Sequence, residues 1–325
     1  MRRREFIALL VGACGRPLSV SAQAALPVVG FINSASPGPF AHLAATFRKG
    51  LGEQGLVEGR NYLIEARWAE GNYERVPAFL QEFFDKKVAV VAVTGGAMER
   101  VMADPAKVTV PIVFVMGDDP VKLGLVASLS QPGGNITGIT QLTMELGAKR
   151  LGILHELLPR MKKVAVLLNP NFPASAPHLR EIEAASVVTG VQPLILSATT
   201  EADFAPAFKR LEEERPDALL VGADPFFNSR REQLVALVAR QRIPAIYEFR
   251  EFAEAGGLIS YGTDLADAYR LVGVYVGRVL KGSRPADLPV VQAAKFELVI
   301  NLKAARALNL EIPPTLLARA DEVIE

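Results

Sequence analysis

Cysteine is almost absent from this sequence. The one cysteine, Cys14, lies in an apolar segment close to the amino terminus. A chain from which that segment has been removed contains no thiol and forms no disulfide, so thiol catalysis and a disulfide scaffold are both excluded. Avoidance of cysteine also suits an oxidising compartment.

The sequence also lacks an excess of charge of either sign. It has 36 Lys and Arg residues against 35 Asp and Glu residues, which gives a net charge of +1 over 325 residues. This balance predicts binding neither to nucleic acid nor to an anionic membrane surface. With 50% hydrophobic and 22% charged residues, the chain has enough apolar material for a sizeable core, and its length accommodates two α/β domains.

Residues that carry catalysis or bind metals are sparse. The three histidines, His42, His155 and His178, are scattered along the chain. No metal-ligand spacing, nucleophile elbow, phosphate-binding loop or dinucleotide fingerprint occurs. We therefore expect no metal, no cofactor and no catalytic residue, and we do not expect an enzyme.

No apolar run after the leader approaches the roughly 20 residues of a membrane-spanning helix. The amino terminus has three arginines at positions 2–4, a short apolar stretch and an A-x-A pattern that ends at Ala24. This layout is typical of a secretory signal peptide over residues 1–24. Arg3-Arg4-Glu5-Phe6-Ile7 also resembles the twin-arginine export motif. We therefore expect export to the periplasm.

Two alternatives exist for this amino-terminal segment. Val11-Gly12-Ala13-Cys14 loosely resembles a lipobox, which would anchor a lipoprotein at Cys14, but Arg4 and Glu5 lie close upstream and the A-x-A site fits better. The segment could also be the basic first helix of a cytosolic protein. Export with cleavage after Ala24 is the interpretation we favour.

From Leu26 onward, short runs rich in β-branched residues alternate with longer amphipathic stretches. This alternation predicts parallel sheets covered by helices. One unit occurs twice: a proline (Pro111 or Pro244), a buried strand, a helical stretch, a double glycine and another strand. A second series of strands and helices begins near residue 140. We therefore predict an α/β fold of two doubly wound, Rossmann-like lobes.

Ligands of open α/β sheets bind where the strands end at their carboxyl termini, so the candidate site residues are those that follow predicted strands. In the first half of the chain the candidates are Asn33, Ser34, Ser36, Thr94, Gly95, Gly96, Gly117 and Asp118. In the second half the candidates are Asn169, Asp224, Phe226, Phe227, Tyr247 and Tyr261.

Several candidates have both a structural and a binding interpretation. Small hydroxyls such as Ser34 and Ser36, just before a helix predicted to start near Phe40, would cap that helix and leave N–H groups free for a carboxylate. Gly95 and Gly96 let the backbone approach a ligand or simply permit a tight turn. The paired aspartates Asp118 and Asp119 could suggest acid/base or metal chemistry, but we expect one of them to cap the following helix.

The second-half candidates leave similar alternatives open. Asp224 would pair with a ligand amine or cap a helix. Phe226 and Phe227 either pack under the lobe or face an apolar ligand, because two adjacent exposed phenylalanines in a loop are costly. Tyr247 and Tyr261 would add aromatic walls.

These segments resemble the substrate-binding proteins of ABC transporters, a family that includes streptococcal tryptophan-binding members. The resemblance covers essentially the whole chain after the leader. It is strongest in Gly117-Asp118-Asp119-Pro120-Val121 together with Pro132-Gly133-Gly134-Asn135-Ile136-Thr137-Gly138. The other matching segments are Gly30-Phe31-Ile32-Asn33-Ser34, Trp68-Ala69-Glu70-Gly71, Pro111-Ile112-Val113-Phe114, Gly222-Ala223-Asp224-Pro225-Phe226-Phe227, Ser260-Tyr261-Gly262 and Phe296-Glu297-Leu298-Val299-Ile300-Asn301.

The resemblance implies a type I periplasmic-binding-protein fold, in which a three-strand hinge joins the lobes. We expect hinge crossings near residues 138–141, 261–264 and 287–292. Lobe 1 would comprise residues 25–139 plus 263–288, and lobe 2 residues 140–262 plus 289–325. The implied partners are a small-molecule ligand and an ABC permease with its ATPase, and the implied oligomeric state is a monomer.

Combining both lines, we expect an amino acid or an aromatic or branched carboxylate as ligand. Its carboxylate would lie near Ser34 and Ser36, its apolar body near Phe226 and Phe227, and its amine at Asp224. The main alternative is a sensory protein that presents its closed, liganded state to a membrane receptor. An effector domain of a transcriptional regulator would require a DNA-binding helix pair, for which residues 1–25 are too short and apolar.

Overall fold

The computed structural model describes residues 25–98, 108–141, 143–293 and 295–325. The predicted leader, residues 1–24, lies outside these residues, as do residues 99–107, Leu142 and Ala294. The described part of the chain forms two mainly parallel β-sheets with helices packed on them.

The first sheet has six strands in the order β11-β5-β4-β3-β1-β2, and all its neighbouring strands are parallel. Its central strands are apolar and buried along their whole length, because helices cover both faces of the sheet. Its strands are β1 (Val28–Asn33), β2 (Leu63–Trp68), β3 (Val90–Thr94), β4 (Ile112–Met116), β5 (Ile136–Thr140) and β11 (Val291–Gln292).

The second sheet has seven strands in the order β13-β12-β10-β9-β8-β6-β7. Only the β10–β12 pair is antiparallel among the pairings described. Its strands are β6 (Lys163–Leu168), β7 (Gln192–Ser197), β8 (Ala218–Val221), β9 (Ala245–Tyr247), β10 (Ile259–Thr263), β12 (Phe296–Asn301) and β13 (Glu322–Ile324).

Most of the connecting segments are α-helices, and short 3₁₀ turns at residues 73–75, 143–146, 201–203 and 285–287 supplement them. The described helices are α1 (Ala41–Glu53), α2 (Val76–Asp85), α3 (Gly147–Leu157), α4 (Ser175–Thr189), α5 (Phe204–Glu214), α6 (Pro225–Ser229), α7 (Arg231–Gln241), α8 (Arg250–Glu254), α9 (Leu265–Leu280), α10 (Leu302–Ala307) and α11 (Pro314–Leu317). Within the residues that the structure describes, no helix is both long and apolar enough to cross a membrane.

The two sheets repeat one strand order. The first contains β2-β1-β3-β4-β5, and the second contains β7-β6-β8-β9-β10 in the same arrangement. The repeated sequence unit that starts at Pro111 and Pro244 therefore covers topologically equivalent strands, β4–β5 and β9–β10. This confirms the predicted α/β class with two doubly wound halves.

The chain passes between the sheets three times. It leaves the first sheet after β5, returns after β10 into helix α9, and leaves again after β11. The crossings are bonded to one another: the Gln141 side chain donates to Thr263 Oγ1 at 2.7 Å, and Ala293 N donates to Thr140 O at 2.8 Å. These bonds keep the three connections together. The division into lobes that move separately stays a prediction.

Helices α1 and α9 approach each other through two glycines. A Cβ on Gly50 would lie 2.0 Å from the carbonyl oxygen of Arg270, and a Cβ on Gly273 would lie 2.0 Å from that of Phe47. Both obstructing atoms are backbone atoms, which cannot rotate away. Because α9 returns from the second sheet and packs against α1 and the first sheet, these glycines allow a carboxyl-terminal segment to complete the first core.

We predict that Gly50→Ala destabilises the protein by about 1–3 kcal/mol, since the added methyl group forces two helix backbones apart. Gly52→Ala is a matched control on the same helix, because a Cβ added at Gly52 would have no atom within 4 Å. The control is expected to stabilise the protein by up to about 1 kcal/mol through helix propensity. Urea unfolding of both variants measures the difference, and equal midpoints would contradict this account of the helix contact.

Candidate functional site

The candidate site lies where the strand order reverses in each sheet. In the first sheet this point is between β1 and β3, whose last residues are Asn33 and Thr94; in the second it is between β6 and β8. Asn169 and Asp224 follow these second-sheet strands closely. Open α/β sheets bind ligands at such points, and here a cavity of about 50 Å³ is lined by residues from both halves of the chain.

The cavity is lined by aromatic rings and by polar side chains. Its aromatic lining residues are Phe40, Phe172, Phe249 and Tyr269. Its polar lining side chains are Gln141, Thr143, Asp224, Asn228 and Glu248. Gly95, Gly96 and Gly117 contribute backbone to the lining. Pockets of this composition suit a small organic ligand with an apolar body and a few polar groups.

Asn33 organises the first-sheet side of the cavity. Its amide nitrogen donates to Thr94 Oγ1 at 2.9 Å and to the Tyr269 hydroxyl at 2.7 Å, while its Oδ1 accepts from Ala35 N at 2.7 Å. Asn33, Thr94 and Tyr269 are all completely buried. This network connects β1, β3 and α9, and it holds the Tyr269 ring in the cavity wall.

Asp224 is a buried carboxylate that faces both halves of the chain. Its Oδ1 accepts from the backbone N–H groups of Phe226 at 2.5 Å and Phe227 at 3.1 Å, which caps helix α6. Its Oδ2 accepts from the Tyr73 hydroxyl, 3.1 Å away, which belongs to the first half. Burial raises the pKa of Asp224 to about 7, although these hydrogen bonds and Asn169 act in the opposite direction.

A second buried carboxylate, Glu248, lies in the cavity lining next to a fully buried arginine. Arg150 Nη2 is 4.0 Å from Glu248 Oε1, and Arg150 Nε donates to the Tyr261 carbonyl oxygen at 2.9 Å. Burial raises the pKa of Glu248 to about 7, while Arg150 and the Thr143 side chain lower it and the charge of Asp224 raises it further. The cavity lining therefore contains two carboxylates of raised pKa.

The two halves meet closely around the cavity. A Cβ on Gly96 would lie 2.7 Å from the Phe172 ring and 3.4 Å from Pro225, both across the cleft. Tyr73 and Phe172 also pack across it, with ring centroids 5.4 Å apart. At the cleft edge, His42 Nε2 lies 3.7 Å from Glu251 Oε1. Gly96, at φ +64°, is thus required both by its backbone conformation and by the facing ring.

Of the residues singled out from the sequence, Gly95, Gly96, Gly117 and Asp224 line the cavity. Others support the lining from behind. Ser34 Oγ hydrogen-bonds the Gly95 carbonyl oxygen, and Asp118 O accepts from Thr140 Oγ1 at 2.8 Å. Asn33, Thr94 and Asn169 belong to the networks around Tyr269 and Asp224.

The expected helix cap by Ser34 and Ser36 is wrong. Helix α1 has Phe40 at its N-cap position and no side-chain cap. Ser34 is occupied with the Gly95 carbonyl oxygen, and Ser36 N donates to Ser229 Oγ at 3.3 Å across the cleft. The sequence placed these serines near the helix, but Ser34 is bonded within its own half and Ser36 contacts the other half of the protein.

The aromatic residues that sequence analysis chose lie elsewhere. Phe226 and Phe227 pack with Phe204 in the core, at centroid distances of 5.6 Å and 6.3 Å, and line no part of this cavity. This agrees with the alternative in which they pack under the lobe. Tyr247 stacks on Phe252 and borders a different cavity, and Tyr261 stacks on Phe296.

The aromatic walls come from residues that sequence analysis did not choose. Glu248 and Phe249 directly follow β9, so they would have been candidates if the residues just after Tyr247 had been included. Phe172 follows β6 in the loop that begins at Asn169. Phe40, Asn228 and Tyr269 lie at or in helices whose approach to the strand ends depends on tertiary packing, and no local sequence signal marks them.

In the described part of the chain, no group of three or more His, Cys, Asp or Glu residues is arranged to hold a metal ion.

Comparisons with known proteins agree with this architecture. A tyrosine-binding protein of Clostridioides difficile (strain R20291) is 25% identical over 267 residues, covering 82% of this chain and 76% of that protein. A conserved domain protein from Vibrio cholerae o1 biovar eltor has a TM-score of 0.81 at 25% identity, covering 91% of this chain and 99% of that structure. An ABC domain from Streptococcus pneumonia in complex with L-Trp has a TM-score of 0.79 at 23% identity, covering 92% of this chain and all 100% of that one.

Solved periplasmic binding proteins of lower sequence identity share the fold, which confirms the predicted type I architecture. The family model described as ABC transporter substrate binding protein matches residues 38–324. That match spans most of the chain and includes every described strand except β1, together with all the residues that line the cavity. The chain therefore belongs to the ABC transporter substrate-binding protein family.

Proposed function

We propose that this protein is the periplasmic binding component of an ABC importer, that it captures an amino acid with an aromatic side chain, and that it has no catalytic role. The observation that carries the ligand class is the cavity between the strand ends, whose lining combines aromatic rings with two buried carboxylates. The names of the relatives, a tyrosine-binding protein and a complex with L-Trp, are consistent with this ligand class.

The proposed binding mode places each part of the ligand against matching chemistry. The aromatic ring packs among Phe40, Phe172, Phe249 and Tyr269 after the two halves move apart, because the cavity of about 50 Å³ is smaller than an aromatic amino acid. The ligand carboxylate is assigned to the backbone N–H groups of the Gly95–Gly96 turn rather than to Ser34 or Ser36, because the glycines line the cavity and the serines do not. The ligand amine goes to the acidic end of the cavity.

Delivery follows from closure of the two lobes on the ligand. The ligand contacts residues of both halves, so it stabilises the closed arrangement relative to an open one, and a permease that recognises the closed form receives loaded protein. We propose that a signal peptide at residues 1–24 directs export of the protein and that the protein acts as a monomer. We also propose that it bends at the three crossings near residues 140, 264 and 293.

The first experiment is thermal unfolding of the purified protein with a panel of L-tyrosine, L-tryptophan, L-phenylalanine, L-leucine, glucose and myo-inositol. A ligand at 100 times its dissociation constant stabilises the folded state by about 2.7 kcal/mol, which shifts the melting temperature by a few degrees. We expect shifts with the aromatic amino acids. A shift only with a sugar would contradict the proposed ligand class, and release of a modified ligand after incubation would contradict a purely binding role.

We predict that Gly96→Ala weakens binding of L-tyrosine and L-tryptophan by about tenfold or more, because its methyl group meets the Phe172 ring and prevents full closure. Isothermal titration calorimetry measures this affinity.

Gly124→Ala is the matched control for this substitution. Gly124 has a similar φ of +71°, but a Cβ added there would have no atom within 4 Å. Both variants carry the backbone cost of about 1–2 kcal/mol for alanine in this conformation, so both lose stability, whereas only Gly96→Ala should lose affinity. Equal affinities in the two variants would show that the close approach at Gly96 does not matter for binding.

A further inference from the structure

The charges around the cavity do not balance. Among the described residues that line it, the charged side chains are Asp224 and Glu248, both acidic. The guanidinium of Arg150, outside the lining, lies 4.0 Å from Glu248 and offsets one of these negative charges. Buried charges without partners are costly. When both carboxylates are ionised, one of them lacks a cationic partner, and a ligand ammonium group would supply it.

Asp224 has little capacity left to receive that ammonium group. A carboxylate offers about four lone-pair sites. Two are used by the N–H groups of Phe226 and Phe227 on Oδ1, and a third by the Tyr73 hydroxyl on Oδ2. Asp224 thus holds the start of helix α6 and the facing lobe in place, and its oxygens point at protein donors.

Helix α6, which Asp224 caps, carries an acceptor without a donor. Asn228 lines the cavity and is only 2% exposed, and its Oδ1 has no hydrogen-bond partner. Leaving a buried acceptor unsatisfied costs about 1–3 kcal/mol, so such atoms in folded proteins call for an explanation. A bound N–H donor would satisfy this one.

We propose that the ligand's ammonium group is received by the Glu248 carboxylate and the Asn228 side-chain oxygen, while Asp224 is a positioning residue that orients Asn228. The inference rests on the proposed function and deepens it. It reassigns the amine from Asp224, the residue that sequence analysis chose, to two residues that only the folded cavity brings together. It also makes the ammonium group, rather than the aromatic ring alone, a determinant of specificity.

The test compares ligands that differ only in the amine. Affinities of L-tyrosine and its des-amino analogue 3-(4-hydroxyphenyl)propionate are measured calorimetrically for the wild-type protein and for Glu248→Gln. We expect the wild type to prefer L-tyrosine by about 10- to 100-fold, the range for a hydrogen bond to a charged group. Glu248→Gln should lose most of that preference while keeping its affinity for the analogue, because the analogue has no ammonium group to contact Glu248. The four affinities form a double-mutant cycle that isolates the interaction between the ligand ammonium group and Glu248.

Two further variants separate recognition from damage to the fold. Asn228→Leu should also reduce the preference for L-tyrosine over the analogue. Glu254→Gln removes a carboxylate from the exposed face of α8 and should leave both affinities unchanged. If Glu248→Gln or Asn228→Leu weakens binding of both ligands equally, the substituted residue has a structural role, which would contradict the proposed contact.

The outcomes distinguish this inference from the proposed function. If the wild type binds L-tyrosine and the analogue equally well, capture of an aromatic solute stands and the ammonium site is wrong. If the wild type binds neither L-tyrosine nor L-tryptophan, while binding another panel member that lacks an amine, the proposed ligand class and the ammonium site both fail.

The same site predicts a pH dependence. The groups facing Glu248 are Arg150, Thr143, Asp224 and Glu251, and the pKa of Glu248 is raised to about 7. An ammonium group binds the deprotonated carboxylate, so affinity for L-tyrosine should fall as pH drops below about 7, by up to tenfold per unit, and level off above it. Glu248→Gln should reduce this slope, with Asp224 retaining the remainder. An unchanged slope in the variant would contradict the assignment.

Discussion

Most of the site depends on the hydrogen bonds that the Asp224 carboxylate accepts. It accepts hydrogen bonds from two backbone N–H groups at the start of α6 and from the Tyr73 hydroxyl of the other half. The first pair sets the direction of a five-residue helix that is too short to hold itself in water. The Tyr73 bond joins that helix to the first half of the chain. One buried acid thus couples local helix geometry to the approach of the two lobes.

The repeated strand order explains why such a contact exists at all. In both sheets, the order in which the chain adds strands reverses at equivalent positions, between β1 and β3 in the first and between β6 and β8 in the second. Parallel strands leave their carboxyl ends at one edge, and loops that follow adjacent strands diverge at the reversal, which opens a crevice. Three crossings place the two crevices face to face. The residues that meet across the crevices, such as Gly96 and Phe172, are consequently small or planar.

The electrostatic character of the cavity follows from burial more than from composition. The sequence is nearly neutral overall, with 36 basic and 35 acidic residues, yet the lining places Glu248 beside Asp224 where water is excluded. Burial removes both carboxyl groups from water, which raises their pKa, and the low dielectric there makes each sensitive to a nearby cation. A net charge cannot show such a local arrangement of buried acids.

The sequence alone determined the α/β class, the two related halves and the edge at which the cavity lies, because hydrophobic periodicity and strand-end loops are local signals. Four of its candidates, Gly95, Gly96, Gly117 and Asp224, line the cavity at that edge. Tertiary structure decided which side chains face the cavity. Phe226 and Phe227 turn into the core because α6 starts at Asp224, whereas Phe40, Asn228 and Tyr269 reach the cavity from separate elements. Their meeting depends on packing between distant segments, which no local pattern records.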